Sequence, residues 1–287
     1  MLKSKSIIVL TLLILLGFTS NAQKFEYFFD KGREFMNDKN YKTALLYYDT
    51  AIKLEPQVAN SYFNRALIKD ELDDKKGAIN DLNNYIALVP NDADAYHYRG
   101  QMKKLSKDTS GAMIDCDLSL LLNPNHLDAR ILRGRLFLGI DSLILSQEDF
   151  TYAYMLDSTN PEVLYNKGIT HYYMEEMDTA LKYLHKCIDN DSASNSPYYF
   201  ISKSYYSKKD YINALKYINT AIRLDPSDKI NYVARALIYL YNEDKEDNYL
   251  AKEDLYNAVE LGSEYAKKII ADVYKVDIDD EEEEDPN

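Results

Sequence analysis

Tyr62-Phe63-Asn64-Arg65-Ala66 and Tyr96-His97-Tyr98-Arg99-Gly100 are two versions of one phrase, 34 residues apart. The small residue that closes each belongs to the series Gly32, Ala66, Gly100, Gly134, Gly168, Ser202 and Ala236, in which every step is 34. Twelve residues after the first six come Ala44, Ala78, Ala112, Ser146, Ala180 and Ala214, and Pro56, Pro90, Pro124 and Pro226 fall on the same ruler. A fixed period of this size marks stacked supersecondary units, each of which buries its apolar face only against its neighbours. It implies an extended surface rather than a globule closed around one site.

Within a unit the pattern is helical. With Phe25 as the first position, units start at 25, 59, 93, 127, 161, 195 and 229. In the first, Phe28, Lys31, Gly32 and Phe35 are spaced i, i+3, i+4, i+7, one stripe of a helix. Ala44, Tyr48 and Ala51 form the stripe of a second helix, and the polar Asn37-Asp38-Lys39-Asn40 between them reads as a tight turn. Leu54-Glu55-Pro56 ends the second helix, because proline cannot continue it. The small positions let two antiparallel helices approach, and large neighbours such as Tyr48 or Phe150 fill the flanking grooves. Tyr62, Tyr96, Tyr198 and Tyr232 share one large position, so most of the 27 tyrosines read as packing residues with wet hydroxyl tips.

The block resembles the tetratricopeptide repeat: large, small and aromatic positions on a first helix, then Ala, aromatic and Ala on a second, then Pro. Ala221-Ile222-Arg223-Leu224-Asp225-Pro226 is a further match, and the resemblance runs from residue 25 to about 262. It implies an all-α fold, a right-handed superhelical solenoid of about seven helix-turn-helix units. Departures are the absence of Trp and a weak fourth unit, where Ser146 and Ser158 replace Ala and Pro and Gly139-Ile140-Asp141 suggests a looser turn. In the seventh unit Ala251 comes three residues late, after a longer charged turn over Asn242–Asn248. Tyr265, Ile269, Ile270 and Val273 then suggest a capping helix over about 264–276, which closes a solenoid spanning 23–276.

The two ends are separate objects. Lys3 and Lys5 precede an apolar stretch from Ile7 to Phe18, and Ser20-Asn21-Ala22 suits signal-peptide cleavage before Gln23. The expectation is an exported bacterial protein, periplasmic or extracellular, with residues 1–22 removed and no transmembrane segment afterwards. Formal charge is −13, and eight acidic residues lie between Asp277 and Asp285. Residues 277–287 have too little apolar content to fold and are expected to be a disordered acidic tail. No basic stripe exists for a phosphate backbone, which argues against nucleic acid as a partner.

The motifs of catalysis are missing. Cys116 and Cys187 fall on second helices two units apart, on the order of 20 Å if neighbouring helices pack roughly 8–10 Å apart. That is too far for a disulfide, so both read as buried thiols. His171 and His185 read as packing residues, His126 as a turn residue and His97 as a groove contact. No HExxH or phosphate loop occurs, and Asp115 with Asp117, or Glu148 with Asp149, read as solvated pairs. Catalytic residues, cofactor and metal are therefore each expected to be none.

In this family the first helices line the concave side. The resemblance places Phe29, Arg33, Phe63 and His97 there at one end, and Tyr165, Ile169, Tyr172, Tyr199, Lys203 and Tyr206 at the other. Such an apolar, aromatic lining suggests a binding face for a protein or peptide segment. The chaperone-tail clamp of some members is not reproduced, because Asn64 and Asn166 fit but their neighbours do not. The expected function is a non-catalytic interaction scaffold or adaptor, monomeric. Alternatives are a periplasmic assembly factor or holdase for client chains, and a regulatory subunit of an envelope enzyme complex.

Overall fold

Each 34-residue period folds as helix, turn, helix. The structure, a computed structural model, describes residues 20–190, 193–241 and 245–275 (the side chains of 245 and 246 excepted). The apolar stretch of the expected signal peptide and the tail 277–287 lie outside the described residues. Among those described there are fifteen helices and no strand. None is long and apolar enough to cross a membrane. The chain divides into two compact units, Met1–Leu136 and Phe137–Asn287. The first holds α1 (Asn21–Asn37), α2 (Tyr41–Leu54), α3 (Ala59–Glu71), α4 (Lys75–Leu88), α5 (Ala93–Leu105), α6 (Thr109–Leu122) and most of α7 (Leu127–Gly139). The second holds α8 (Leu143–Leu156), α9 (Pro161–Tyr173), α10 (Met177–Asn190), α11 (Ser196–Ser207), α12 (Tyr211–Leu224), α13 (Lys229–Tyr241), α14 (Lys245–Glu260) and α15 (Glu264–Tyr274).

The small positions sit where the helices of a hairpin meet. Ala44, Ala66, Ala78, Ala112, Ala180, Ala214 and Ala236 are fully buried, and the two cysteines are buried and unbridged. Ser202 fits its slot by donating its hydroxyl to the Ala214 carbonyl, 2.8 Å away.

Six hairpins turn the same way. Lys39, Asp73, Lys107, Asp141, Glu175 and Lys209 all have φ between 56° and 64°, one residue before the cap of the second helix. Asn40, Asp74, Asp108 and Asp210 follow, and their side chains accept from the backbone N–H three residues on. The fourth turn is not loosened as the sequence suggested. Asp141 holds the common left-handed geometry, and Ser142 N–H reaches Phe137 O at 2.9 Å as Asp74 N–H reaches Lys69 O at 2.8 Å. A side chain in this region is strained where glycine is not. Lys107→Gly is therefore expected to raise stability by about 0.5–1 kcal/mol, read as a higher urea midpoint.

A second period runs beneath the first. Arg65 forks onto Asp81 at 2.8 and 2.6 Å and reaches back to Asp49 at 2.7 Å. Arg99 repeats this on Asp115, at 2.9 and 2.6 Å, and reaches back to Asn83 at 2.8 Å. Arg235 forks onto Asp254 at 2.8 and 2.6 Å and reaches Asn219. Lys69 and Lys103 add a second cation to Asp81 and Asp115. Asp81, Asp115, Asp149 and Asp254 are all buried. This corrects the reading of Asp115 and Asp149 as solvated; only their neighbours Asp117 and Glu148 are exposed. Where the aspartate slot holds tyrosine, the pair becomes aromatic. Tyr47 stacks on Phe35 (5.2 Å), Tyr183 on His171 (5.6 Å) and Tyr217 on Tyr205 (5.6 Å).

Two further expectations change near the C-terminus. The charged stretch after Tyr241 is not all turn, because α14 starts at Lys245 and uses the extra residues as a longer first stretch of helix. In α15 the buried residues are Ala266, Ile269 and Ile270, while Tyr265 and Val273 are exposed. The stripe lies one position round from the one the sequence suggested, because Ala266 is small enough to sit against the preceding hairpin.

Candidate functional site

In the second unit α11 and α13 leave apolar surface uncovered between them. Together with the α14–α15 loop and the start of α15 they form a groove of about 570 Å³. Its floor is α13, with Val233 and Leu237 and the exposed Ile230. One wall is Tyr199, Lys203 and Tyr206 on α11; the other carries Tyr265, 60 % exposed, and Glu264. The volume is within the range of about 300–1,000 Å³ usual for ligand pockets.

Lys203 is the unusual member. Its ammonium lies 5.0 Å from the Tyr172 ring centre, 5.5 Å from Tyr199 and 5.9 Å from Phe200. Burial works against the charge, Tyr199 and Tyr172 favour it, and the balance holds the ammonium above its ordinary pKa. Burial also pushes the Tyr199 phenol up, with Lys203 opposing. At neutral pH the wall therefore carries a cation beside the neutral Tyr199 phenol.

Of the residues expected on this side, the structure brings Tyr199, Lys203 and Tyr206 into the groove. Tyr172 lies behind it, its ring 5.6 Å from Phe200. Tyr165 also packs on Phe200 and lines a separate recess of about 380 Å³ with Pro161, Glu162 and Cys187. Ile169 is buried against Leu181, Leu184 and Ile201. Asn166 is buried too, its amide spent on Glu162 O at 2.7 Å. Lys229, Glu264 and Tyr265 are groove residues that the period did not reveal, because they sit at helix starts, before the stripe is established.

In the first unit the expected residues are engaged locally. Phe29 packs edge-on to Tyr48 at 5.6 Å, and Phe63 lies between Tyr85 (5.0 Å) and Tyr98 (6.0 Å). Arg33 is exposed and pairs with Asp30 at 2.7 Å. His97 lies 5.0 Å from the His126 ring, and burial holds its pKa below the usual value. His126 is not a plain turn residue: it is buried and its Nδ1 accepts from Ala129 N–H at the start of α7. Among the described residues no three His, Cys, Asp or Glu side chains group as a metal site.

Comparison with known proteins agrees with this architecture. Three family models described as Tetratricopeptide repeat match residues 33–103, 162–194 and 196–228. A tetratricopeptide repeat protein from Parabacteroides merdae is similar in structure, with a TM-score of 0.69 at 17% identity over 88% of this chain and 98% of its own. The C-terminal part of a TPR repeat-containing protein from Cytophaga hutchinsonii gives 0.63 at 20% identity, over 83% and 97%. YrrB, described as a TPR protein with an unusual peptide-binding site, gives 0.53 at 17% identity, over 68% and 98%. Among curated proteins, none matches. The 34-residue ruler and its all-helical hairpins agree with these matches: over residues 33–103, 162–194 and 196–228 the chain consists of tetratricopeptide repeats.

Proposed function

We propose that this protein is a non-catalytic scaffold that holds a segment of a partner protein in the groove between α11, α13 and α15, and that it works outside the cytoplasm after its leader is removed. The observation that carries the reading is the groove itself. Ile230 and Tyr265 are more than half exposed there, beside Tyr199 and Tyr206. Large aromatic side chains supply contact area at low entropic cost and dominate interface energetics. The peptide-binding site of YrrB supports the same use of this fold. The leader-like sequence of residues 1–22 supports export.

Replacing Tyr199, Tyr206 and Tyr265 by Ala should leave helicity intact and weaken partner capture at least tenfold, about 1.4 kcal/mol. Tyr249→Ala, an exposed tyrosine on α14, should change nothing. Quantitative recovery of bound proteins from the cell envelope by wild type and variants is the measurement. Equal recovery by the triple variant, with loss in a Phe63→Ala/His97→Ala variant, would move the site to the first unit.

A further inference from the structure

Three charged side chains line the groove among the described residues: Lys203, Lys229 and Glu264. Two of them belong together. Lys229 opens α13 and donates its ammonium to Gly262 O at 2.7 Å, two residues before Glu264 opens α15. That end of the groove holds one positive and one negative group, and its cation already has a backbone acceptor. Lys203 stands alone on the opposite wall. No carboxylate lies within ion-pair distance of it among the described residues, and what surrounds it is the three rings. Ring faces and phenols hold the ammonium in place and shield it from part of the water, but they bring no countercharge. Lys69 and Lys103, by contrast, each reach a buried aspartate, and the buried Lys167, outside the groove, donates to Thr151 Oγ1 at 2.6 Å.

Given the binding role proposed above, we infer that the groove takes a segment with a single Asp or Glu one or two positions from a large aliphatic or aromatic side chain. The apolar side chain covers Ile230, Val233 and Leu237, and the carboxylate pairs with Lys203. Half-buried between rings, that pair forms in a medium less polar than water, where a charge-assisted hydrogen bond is strong. The stoichiometry follows from the same count. One lysine lacks an acid, so one carboxylate is matched. A run of acids would meet Glu264, and would also approach a chain of net charge −13. The residues flanking the recognised pair are therefore neutral or basic. By the same argument the chain's own acidic segment, Asp277–Asp285, is a poor occupant.

Selection of a random linear heptapeptide display library on the full chain tests this. The expected result is enrichment of peptides with one acidic residue within two positions of Leu, Ile, Phe or Tyr. A synthetic copy of the most enriched peptide should bind Lys203→Met, which keeps an apolar filler among the rings, at least tenfold more weakly than wild type. Selection on Lys203→Glu should replace the acidic residue by Lys or Arg. Circular dichroism of both variants shows whether the helices persist. Apolar peptides without an acid, or an unchanged preference in Lys203→Glu, overturn the inference and leave the groove as a binding site. No enrichment above the unselected library overturns the groove reading as well. Enrichment of polyacidic peptides resembling 277–285 overturns it in favour of the chain's own segment as occupant.

Discussion

Asp115→Ala should lower stability by about 3–5 kcal/mol, the usual loss when one partner of a buried ion pair is removed. Asp115 is fully buried and receives a forked guanidinium from Arg99 and an ammonium from Lys103. Without it, two mostly buried cations face each other in a space with no other acid to satisfy them. Asp117→Ala on the same helix is the contrast. It removes only the half-exposed partner of Arg133, and the change should stay within about 1 kcal/mol. Urea unfolding separates the two, and equal midpoints would show that the buried network contributes nothing special. Replacing Arg99 and Lys103 by Met together with Asp115→Leu should recover most of the loss, because an apolar trio leaves no charge uncompensated.

The same substitution should have opposite signs at two glycines of the second unit. At Gly168 a Cβ would stand 2.6 Å from Leu184 Cγ and 3.3 Å from its backbone nitrogen. Gly168→Ala should destabilise by about 1–3 kcal/mol through overpacking, more than the helix gains from losing a glycine. At Gly139 nothing lies within 4 Å of the added carbon. Gly139→Ala should therefore stabilise, by about 0.4–1 kcal/mol, since it only restricts the unfolded chain. Thermal unfolding of the pair checks both signs; a gain at Gly168 would mean that α9 and α10 do not approach as described, and a loss at Gly139 would mean that its added carbon is not in open space.

The period made the hairpins legible because small residues are demanded wherever two backbones come close, and that demand recurs once per unit. It read faces well and depth poorly. Ile169 and Tyr172 pack against Ile201 and Phe200 of the next repeat, contacts that spacing within one repeat does not show. The spacing of Tyr265 to Ile269 suits a core stripe, but Ala266 is the buried residue and Tyr265 stays exposed. The ion-pair network follows the same period. Arg65, Arg99 and Arg133 step by 34, as do Asp81, Asp115 and Asp149 sixteen residues later. Charges that keep the period of a core stripe are partners inside it, whereas charges on a free surface drift.

The choice between a charged and an aromatic pair at the hairpin slot also bears on how the chain finds its fold. A protein built from look-alike units can join the wrong helices during folding, and misassembly is a typical failure of repeat architectures. Exchange of α4 for α6 would go unpunished at this slot, because Arg65 and Arg99 would each still find an aspartate. Exchange of α4 for α10 would set Arg65 against Tyr183 and leave its guanidinium only the half-exposed Asp49, while His171 would lose its stacked ring. The alternation thus works as a key: it leaves units with the same kind of pair interchangeable and makes confusion between a charged and an aromatic unit costly.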